Sequence, residues 1–211
     1  LTEGVHSGDA SGVVPSSFRI ARRLLDRIED SMSGRILPAA FHAPIPDERV
    51  AQARVASGIL GETMVKRFPW SGRTLPMVDG NAEVVLNRTW RPALSITGAD
   101  GLPPIANAGN VLRPATKLKL SLRIPPTLDG EQATAELKTL LEADPPHGAT
   151  VRFEPDQGAT GWNAPATATW LADAIDASSR TFYGQPSGAL GEGGTIPFMG
   201  MLGKQFPEAQ F

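Results

Sequence analysis

Three histidines, one strand-ending arginine and a glycine-rich run are the residues of this 211-residue sequence with catalytic or binding potential. His6, His42 and His147 lie in unrelated contexts. Zinc requires three or four nitrogen, oxygen or sulfur ligands that converge on one point. The sequence has no His-x-Asp motif, no pair of histidines four residues apart and no cysteine, so we predict no metal site formed by this chain alone.

Arg123 and Asn110 are candidates for holding a small polar ligand. Arg123 ends a segment in which Leu118, Leu120 and Leu122 alternate with polar residues, as in a half-buried strand. A planar guanidinium pairs bidentately with a carboxylate, although a solvent-facing strand cation is the simpler interpretation. Asn110 follows a glycine, a position where asparagine also serves ordinary turn formation.

A glycine-rich segment near the C-terminus reads GEGGTIP over residues 191–197. Glycine allows main-chain N–H groups to approach a ligand closely, and a plain turn is the alternative. A serine hydrolase that uses Ser7 or Ser11 with His6 is disfavoured, because the sequence has no Gly-x-Ser-x-Gly nucleophile elbow.

Composition excludes several classes of partner. Lys and Arg total 20 against 22 Asp and Glu, so no basic surface for nucleic acid or an anionic membrane is indicated. No apolar run approaches the roughly 20 residues of a membrane span. With 41% hydrophobic and 20% charged residues the chain has the composition of a folded globular protein, and its compartment stays open.

The hydrophobic pattern predicts an α+β fold. Cap residues at 15–17 and an apolar face of Ala21, Leu24, Leu25 and Ile28 indicate a first helix. Residues 37–90 are irregular and proline-interrupted, with one helix at about 46–60, and we interpret them as an inserted excursion. Strands are predicted at 91–98, 116–124 and 149–153, and helices at 129–142 and about 165–183.

Three motifs in this order resemble the carnosinase, aminoacylase and carboxypeptidase G family of dizinc hydrolases. They are GVHSGDASG at 4–12, NVLRP at 110–114 with LSLRIP at 120–125, and GEGGTIP at 191–197. Arg113 departs from the family pattern, which runs directly into proline. The family's early His-x-Asp, bridging Asp, Glu-Glu pair and late His have no counterparts, and we expect them before Leu1 and after Phe211.

The resemblance implies a ferredoxin-like lid of residues 1–155, a two-layer sandwich in which two helices cover one face of a four-stranded antiparallel sheet. Residues 156–211 would be a partial α/β segment of the catalytic domain. The parent would be a homodimer with two zinc ions that hydrolyses peptides or N-acyl amino acids, and this fragment alone would be inactive. A stand-alone oligomerisation or small-molecule-binding module is the alternative, since such sandwiches host many functions.

The resemblance also implies roles for single residues. His6 would donate a hydrogen bond to the oxyanion in the partner subunit's site. Asn110 and Arg123 would bind the substrate's carboxylate end, and Gly193, Gly194 and Thr195 would lie against bound substrate.

Overall fold

The computed structural model of the chain describes residues 1–156, 158–194 and 197–211. Its helices are α1 Ser17–Leu25, α2 Asp47–Leu60, α3 Thr63–Lys66, α4 Asn81–Thr89, α5 Gly130–Glu142, α6 Thr169–Tyr183 and α7 Pro197–Gln205. Its strands are β1 Val5–His6, β2 Ala93–Asp100, β3 Val111–Leu112 and β4 Lys117–Arg123. The α+β class predicted from the sequence is therefore confirmed.

The chain divides into two compact units. Unit 1 consists of Leu1–Phe41, Pro92–Arg123 and Gln132–Gly158. Unit 2 consists of His42–Arg91, Ile124–Glu131 and Ala159–Phe211. The excursion predicted at 37–90 thus falls mainly in the same unit as the C-terminal segment.

Two short antiparallel sheets form the strand layer of unit 1. β2 pairs with β4 from Ala93 opposite Arg123 to Asp100 opposite Lys117, with a register shift between Ile96 and Gly98. β1 pairs separately with β3. The four-stranded sheet is not confirmed, because the described residues form two two-stranded sheets.

The segment 149–153, predicted as a strand, is irregular in the structure. The main-chain N–H of Phe153 donates to the Oε1 atom of Glu142 at 2.8 Å. This N–H is therefore used by the end of α5 rather than by a neighbouring strand. Hydrophobic alternation alone could not predict this acceptor, because Glu142 lies eleven residues before Phe153.

The first helix presents the apolar face that the sequence predicts, with Leu24 and Ile28 buried. Ser16 accepts the Arg19 N–H at 3.2 Å and so caps α1. The buried apolar side chains of this unit are Ala10, Leu24, Ile28, Ile36, Phe41, Leu137 and Leu141.

Arg27, two residues beyond the end of α1, connects α1 with α5. Its guanidinium donates hydrogen bonds to three carbonyl oxygens. They belong to Leu140, at 3.0 Å, to Asp144, at 2.6 Å, and to Ala143. These are carbonyls at and after the C-terminal turn of α5, where helices carry unpaired acceptors and a partial negative charge.

Unit 2 has its own core. Residues from α2, α3 and α4 form the cluster of Ala53, Met64, Val84, Val85 and Leu86, and Ile45, Val65 and Val78 pack against it. In the C-terminal part of the unit, Trp162 packs edge-on against Phe211 with ring centroids 5.6 Å apart.

Arg27→Ala should lower the free energy of unfolding by about 2 kcal/mol, because it removes charge-assisted hydrogen bonds to three carbonyls at the end of α5. The midpoint of urea unfolding at constant m-value measures this change. Arg22→Ala removes an exposed cation from the neighbouring helix and is the matched control. Equal midpoints for the two variants would contradict the role given to Arg27.

Glu142 should give stability that disappears in acid. The hydrogen bond from Lys138, then the Phe153 N–H, lowers the pKa of this carboxyl below its ordinary value. A lowered folded-state pKa stabilises the protein above the unfolded pKa, and that stability is lost as pH falls through the folded value. The difference in unfolding free energy between wild type and Glu142→Gln should be constant near neutral pH and shrink in acid.

Glutamine can still accept the Phe153 N–H, so this variant isolates the charge. Glu136→Gln, an exposed position on the same helix, is the control for general effects of lost charge. A Glu142→Gln difference that stays constant down to the acid transition would show that the charge contributes nothing.

Candidate functional site

The pairing of β1 with β3 brings two predicted site residues together. Val5 lies opposite Leu112 and His6 opposite Val111. The main-chain N–H of Ser7 donates to the Asn110 carbonyl at 2.9 Å. His6 in β1 and Asn110, the residue before β3, are therefore neighbours although they are far apart in the sequence.

The His6 side chain is exposed, and its orientation is set by a local turn. The Gly8 N–H donates to the Nδ1 atom of His6 at 3.1 Å. The Ala10 N–H donates to the His6 carbonyl at 3.1 Å, so the chain turns back immediately after the histidine. Because Nδ1 is used inside the turn, Nε2 is the ring nitrogen left for a ligand.

The segment that carries Asn110 is anchored to the start of α1. The Ser17 hydroxyl donates to the Arg113 carbonyl at 3.1 Å and forms a second hydrogen bond with the Thr116 hydroxyl at 2.8 Å. Arg113, the residue at which the sequence departs from the family motif, thus supplies a main-chain acceptor to this anchor. The sequence indicated Ser17 only as one of the cap residues at 15–17, since no short-range spacing links it to residues 113 and 116.

Arg123 lies on the other ladder. It is the last residue of β4, opposite Ala93, and is exposed. Within the part of the chain that the structure describes, its guanidinium has neither an ion-pair nor a hydrogen-bond partner. Its charge is available to an anion, but the β1–β3 ladder that unites His6 with Asn110 does not include it.

The glycine-rich loop belongs to unit 2, where it rests on the end of α4. A Cβ atom on Gly193 would lie 2.4 Å from the Arg88 carbonyl oxygen, and one on Gly191 would lie 3.1 Å from the Thr89 Cγ2 atom. The Arg88 guanidinium forms an ion pair with Glu192 at 3.3 Å. The close approach that requires glycine at 193 is therefore to the protein's own main chain.

Gly194 differs from Gly193, because a Cβ atom added there meets none of the described residues within 4 Å. The open side of this loop is thus at Gly194. Thr195, the third residue predicted here, lies outside the described residues. The contribution of Arg88 was missed, since 104 residues separate it from Glu192.

The described ranges contain no group of three or more His, Cys, Asp or Glu side chains able to hold a metal ion. Of the other two histidines, His147 uses Nε2 at 3.3 Å from the Arg23 guanidinium. Among the same residues, none of the helices has the length and apolar character that crossing a bilayer requires.

A cavity of about 500 Å³ opens along α6 within unit 2. Its lining includes Ile175, Phe182, Tyr183 and Gly188. The Asp176 carboxylate accepts the Ser187 N–H at 3.0 Å and pairs with Arg180 at 2.6 Å, so the wall at residues 187–188 is tied to the helix. None of the predicted site residues lines this cavity.

Comparison with known proteins gives consistent matches. Residues 3–149 match the family of M20 peptidase dimerisation domains. The chain is 26% identical over 223 residues to the cysteinylglycine-S-conjugate dipeptidase of Corynebacterium striatum, with 98% of this chain and 44% of that protein covered. The chain therefore spans less than half the length of this relative.

Solved structures show the same fold. Human carnosine dipeptidase 1 superposes with a TM-score of 0.69 at 22% identity, over 96% of this chain and 43% of that one. The M20 family metallo-carboxypeptidase Sso-CP2 of Sulfolobus solfataricus superposes with a TM-score of 0.70 at 16% identity, over 98% and 52%.

The two glycines at 193 and 194 should respond differently to alanine. Gly193→Ala forces a shift against the Arg88 carbonyl and should destabilise unit 2 by about 1–3 kcal/mol. Gly194→Ala should change the free energy of unfolding by no more than about 0.5 kcal/mol. Urea unfolding of the two variants side by side makes the comparison, and equal effects would refute the packing of this loop on α4.

Proposed function

Because this chain belongs to the M20 peptidase dimerisation-domain family, we propose that it supplies the lid and the subunit interface of a metal-dependent peptidase. The parent hydrolyses a peptide or amide bond next to a free carboxylate, as a dipeptidase, carboxypeptidase or aminoacylase does. The match over residues 3–149 carries this proposal, and the dipeptidase name of the Corynebacterium striatum relative supports it.

The lid in this proposal is residues 1–155, with the excursion of 37–90, and residues 156–211 belong to the catalytic domain. Contacts inside unit 2 join the excursion to residues 156–211. Arg49 of α2 donates to the Asn163 side chain at 3.2 Å and to the Ala164 carbonyl. Arg88 of α4 pairs with Glu192.

Two zinc ions are proposed as the parent's metals. When bound, such ions polarise the scissile carbonyl and activate a water molecule. The described residues of this chain do not fit the ions, because they provide no cluster of three ligating side chains. The roles below are therefore confined to this chain's own residues.

His6 is the proposed oxyanion donor, acting in the partner subunit's site. Its exposed ring, with Nδ1 occupied by Gly8, leaves Nε2 for a group outside the chain. One donor aimed at the charge that develops in a tetrahedral intermediate is worth about 3–4 kcal/mol. His6 needs to carry no metal and to accept no proton for this role.

Arg123 and Asn110 are proposed to bind the substrate's carboxylate end, and Gly193, Gly194 and Thr195 to lie against bound substrate. The exposed guanidinium of Arg123, without a partner among the described residues, favours an anionic group. Asn110 lies beside His6 through the β1–β3 ladder. Of the two described glycines, Gly194 has the free side that a ligand needs.

Homodimerisation through the lid is proposed from the family match and from β2. Of the residues from Ala93 to Asp100, only Leu94 is partly buried, and the others are exposed. In the described sheet β2 pairs with β4 on one side only. A long strand with a free edge is a template for pairing with a second chain, and a two-fold axis makes such a contact self-complementary.

His6→Ala in the full-length parent should lower kcat for a dipeptide substrate by about 10²–10³-fold, because the oxyanion loses one donor. Turnover with added zinc or manganese is the measurement, and metal content and sedimentation verify that metal and dimer are retained. His42→Ala, at an exposed histidine without a proposed role, is the matched control. Turnover of His6→Ala within about threefold of the control would remove His6 from the mechanism.

A further inference from the structure

We infer that the main-chain N–H of Gly8 selects the tautomer of His6 and thereby makes this histidine a hydrogen-bond donor through Nε2. This inference rests on the proposed function, because it concerns the residue that would hold the oxyanion. Gly8 is a positioning residue in this scheme, since it acts only through the ring of His6.

The tautomer follows from what each atom can donate. A neutral imidazole has one nitrogen that carries a proton and one that accepts. A main-chain N–H can only donate, and the Gly8 nitrogen lies 3.1 Å from Nδ1. Nδ1 must therefore present its lone pair, and the proton resides on Nε2.

Donation from the Nε2–H group suits an oxyanion that appears and disappears in one turnover. The Nε2–H group offers a hydrogen bond without a proton being gained or lost by the ring. The opposite tautomer would turn the Nδ1–H group toward the Gly8 N–H and present a lone pair to the oxyanion. Two donors would then face each other in the turn, and two electron pairs would face each other at the ligand.

The turn that positions Gly8 is held at several points. The Ser7 N–H is bonded to the Asn110 carbonyl at 2.9 Å, and the Ala10 N–H to the His6 carbonyl at 3.1 Å. The Gly8 carbonyl accepts from Ser11 at 3.2 Å. Ala10 is buried, with 5% of its surface exposed, and anchors the far side of the turn.

Glycine is needed at position 8 because of the ring and not because of the main chain. A Cβ atom there would lie 2.9 Å from Cε1 and 3.0 Å from Nδ1 of His6. The φ angle of Gly8 is not in the left-handed region, so the main-chain conformation is open to other residues. Gly12 in the same turn shows the opposite case, with φ at +72° and nothing within 4 Å of an added Cβ.

The tautomer can be read directly from the ¹⁵N shifts of the imidazole nitrogens in the dimeric full-length protein labelled with ¹⁵N-histidine. The measurement is made at alkaline pH, where imidazoles are neutral. The His6 signals are those missing from His6→Ala. We expect the protonated nitrogen to be Nε2 in the wild type, and a His6 ring protonated mainly at Nδ1 would overturn the inference.

Gly8→Ala tests the cause of that preference. It should displace the ring, shift the His6 tautomer ratio toward Nδ1–H by roughly fivefold, the factor that one net hydrogen bond corresponds to, and lower kcat more than it changes KM. Gly109→Ala, at an exposed glycine with nothing within 4 Å of an added Cβ, is the matched control and should keep the wild-type signals. Unchanged tautomer signals in folded Gly8→Ala would overturn the assignment to Gly8.

The wild-type spectrum decides the tautomer even if Gly8→Ala fails to fold. The outcome is also separable from that of the proposed function. If the ring is protonated at Nε2 and His6→Ala is fully active, this inference holds and the catalytic role of His6 is wrong. If the ring is protonated at Nδ1 and His6→Ala is inactive, the catalytic role of His6 holds and this inference is wrong.

Discussion

The short pairing between β1 and β3 is the constraint on which the candidate site depends. It joins the N-terminal segment to a strand from the other side of the excursion, and each strand has only two residues. So small a ladder cannot offset the entropy of closing a long loop by itself. The hydrogen bonds of Ser17 to Arg113 and Thr116 fix one side of it to α1, which is in turn held to α5 through Arg27. The position of an exposed histidine is thus determined by contacts that extend into the core of unit 1.

In unit 2 the glycine-rich loop is likewise held in place by contacts with a helix whose apolar side chains are buried. The end of α4, whose Val84, Val85 and Leu86 are buried, offers a carbonyl and an arginine to the loop. Because the helix is fixed by its apolar side chains, the loop that rests on it is fixed as well. The irregular excursion therefore supports residues of the family's glycine-rich motif. This structural role could not be predicted from the sequence of the excursion.

Periodicity alone was sufficient for much of the fold. The alternation of Leu118, Leu120 and Leu122 located β4, and the apolar face predicted for the first helix was correctly placed on α1. The segment 149–153 was wrong as a strand because Glu142 takes the Phe153 N–H, a bond that no local pattern reveals. Sequence patterns indicated that His6, Asn110 and Gly193 were of interest. They could not show the His6–Gly8 bond or the contact of Gly193 with Arg88, because both involve main-chain atoms, which a pattern of side-chain types does not reveal.

The turn after His6 contains two glycines that are constrained for unrelated reasons, and they set different rules for how this segment can vary in evolution or in a library. Gly12 is constrained by handedness, so asparagine, which enters the left-handed region more readily than other residues, is an acceptable substitute there. Gly8 is constrained by volume beside the imidazole, so no side chain fits while the histidine keeps its place. Replacement of His6 by a small residue would remove that constraint at once. A side chain at position 8 is therefore compatible with this turn only where His6 is replaced or its ring is displaced.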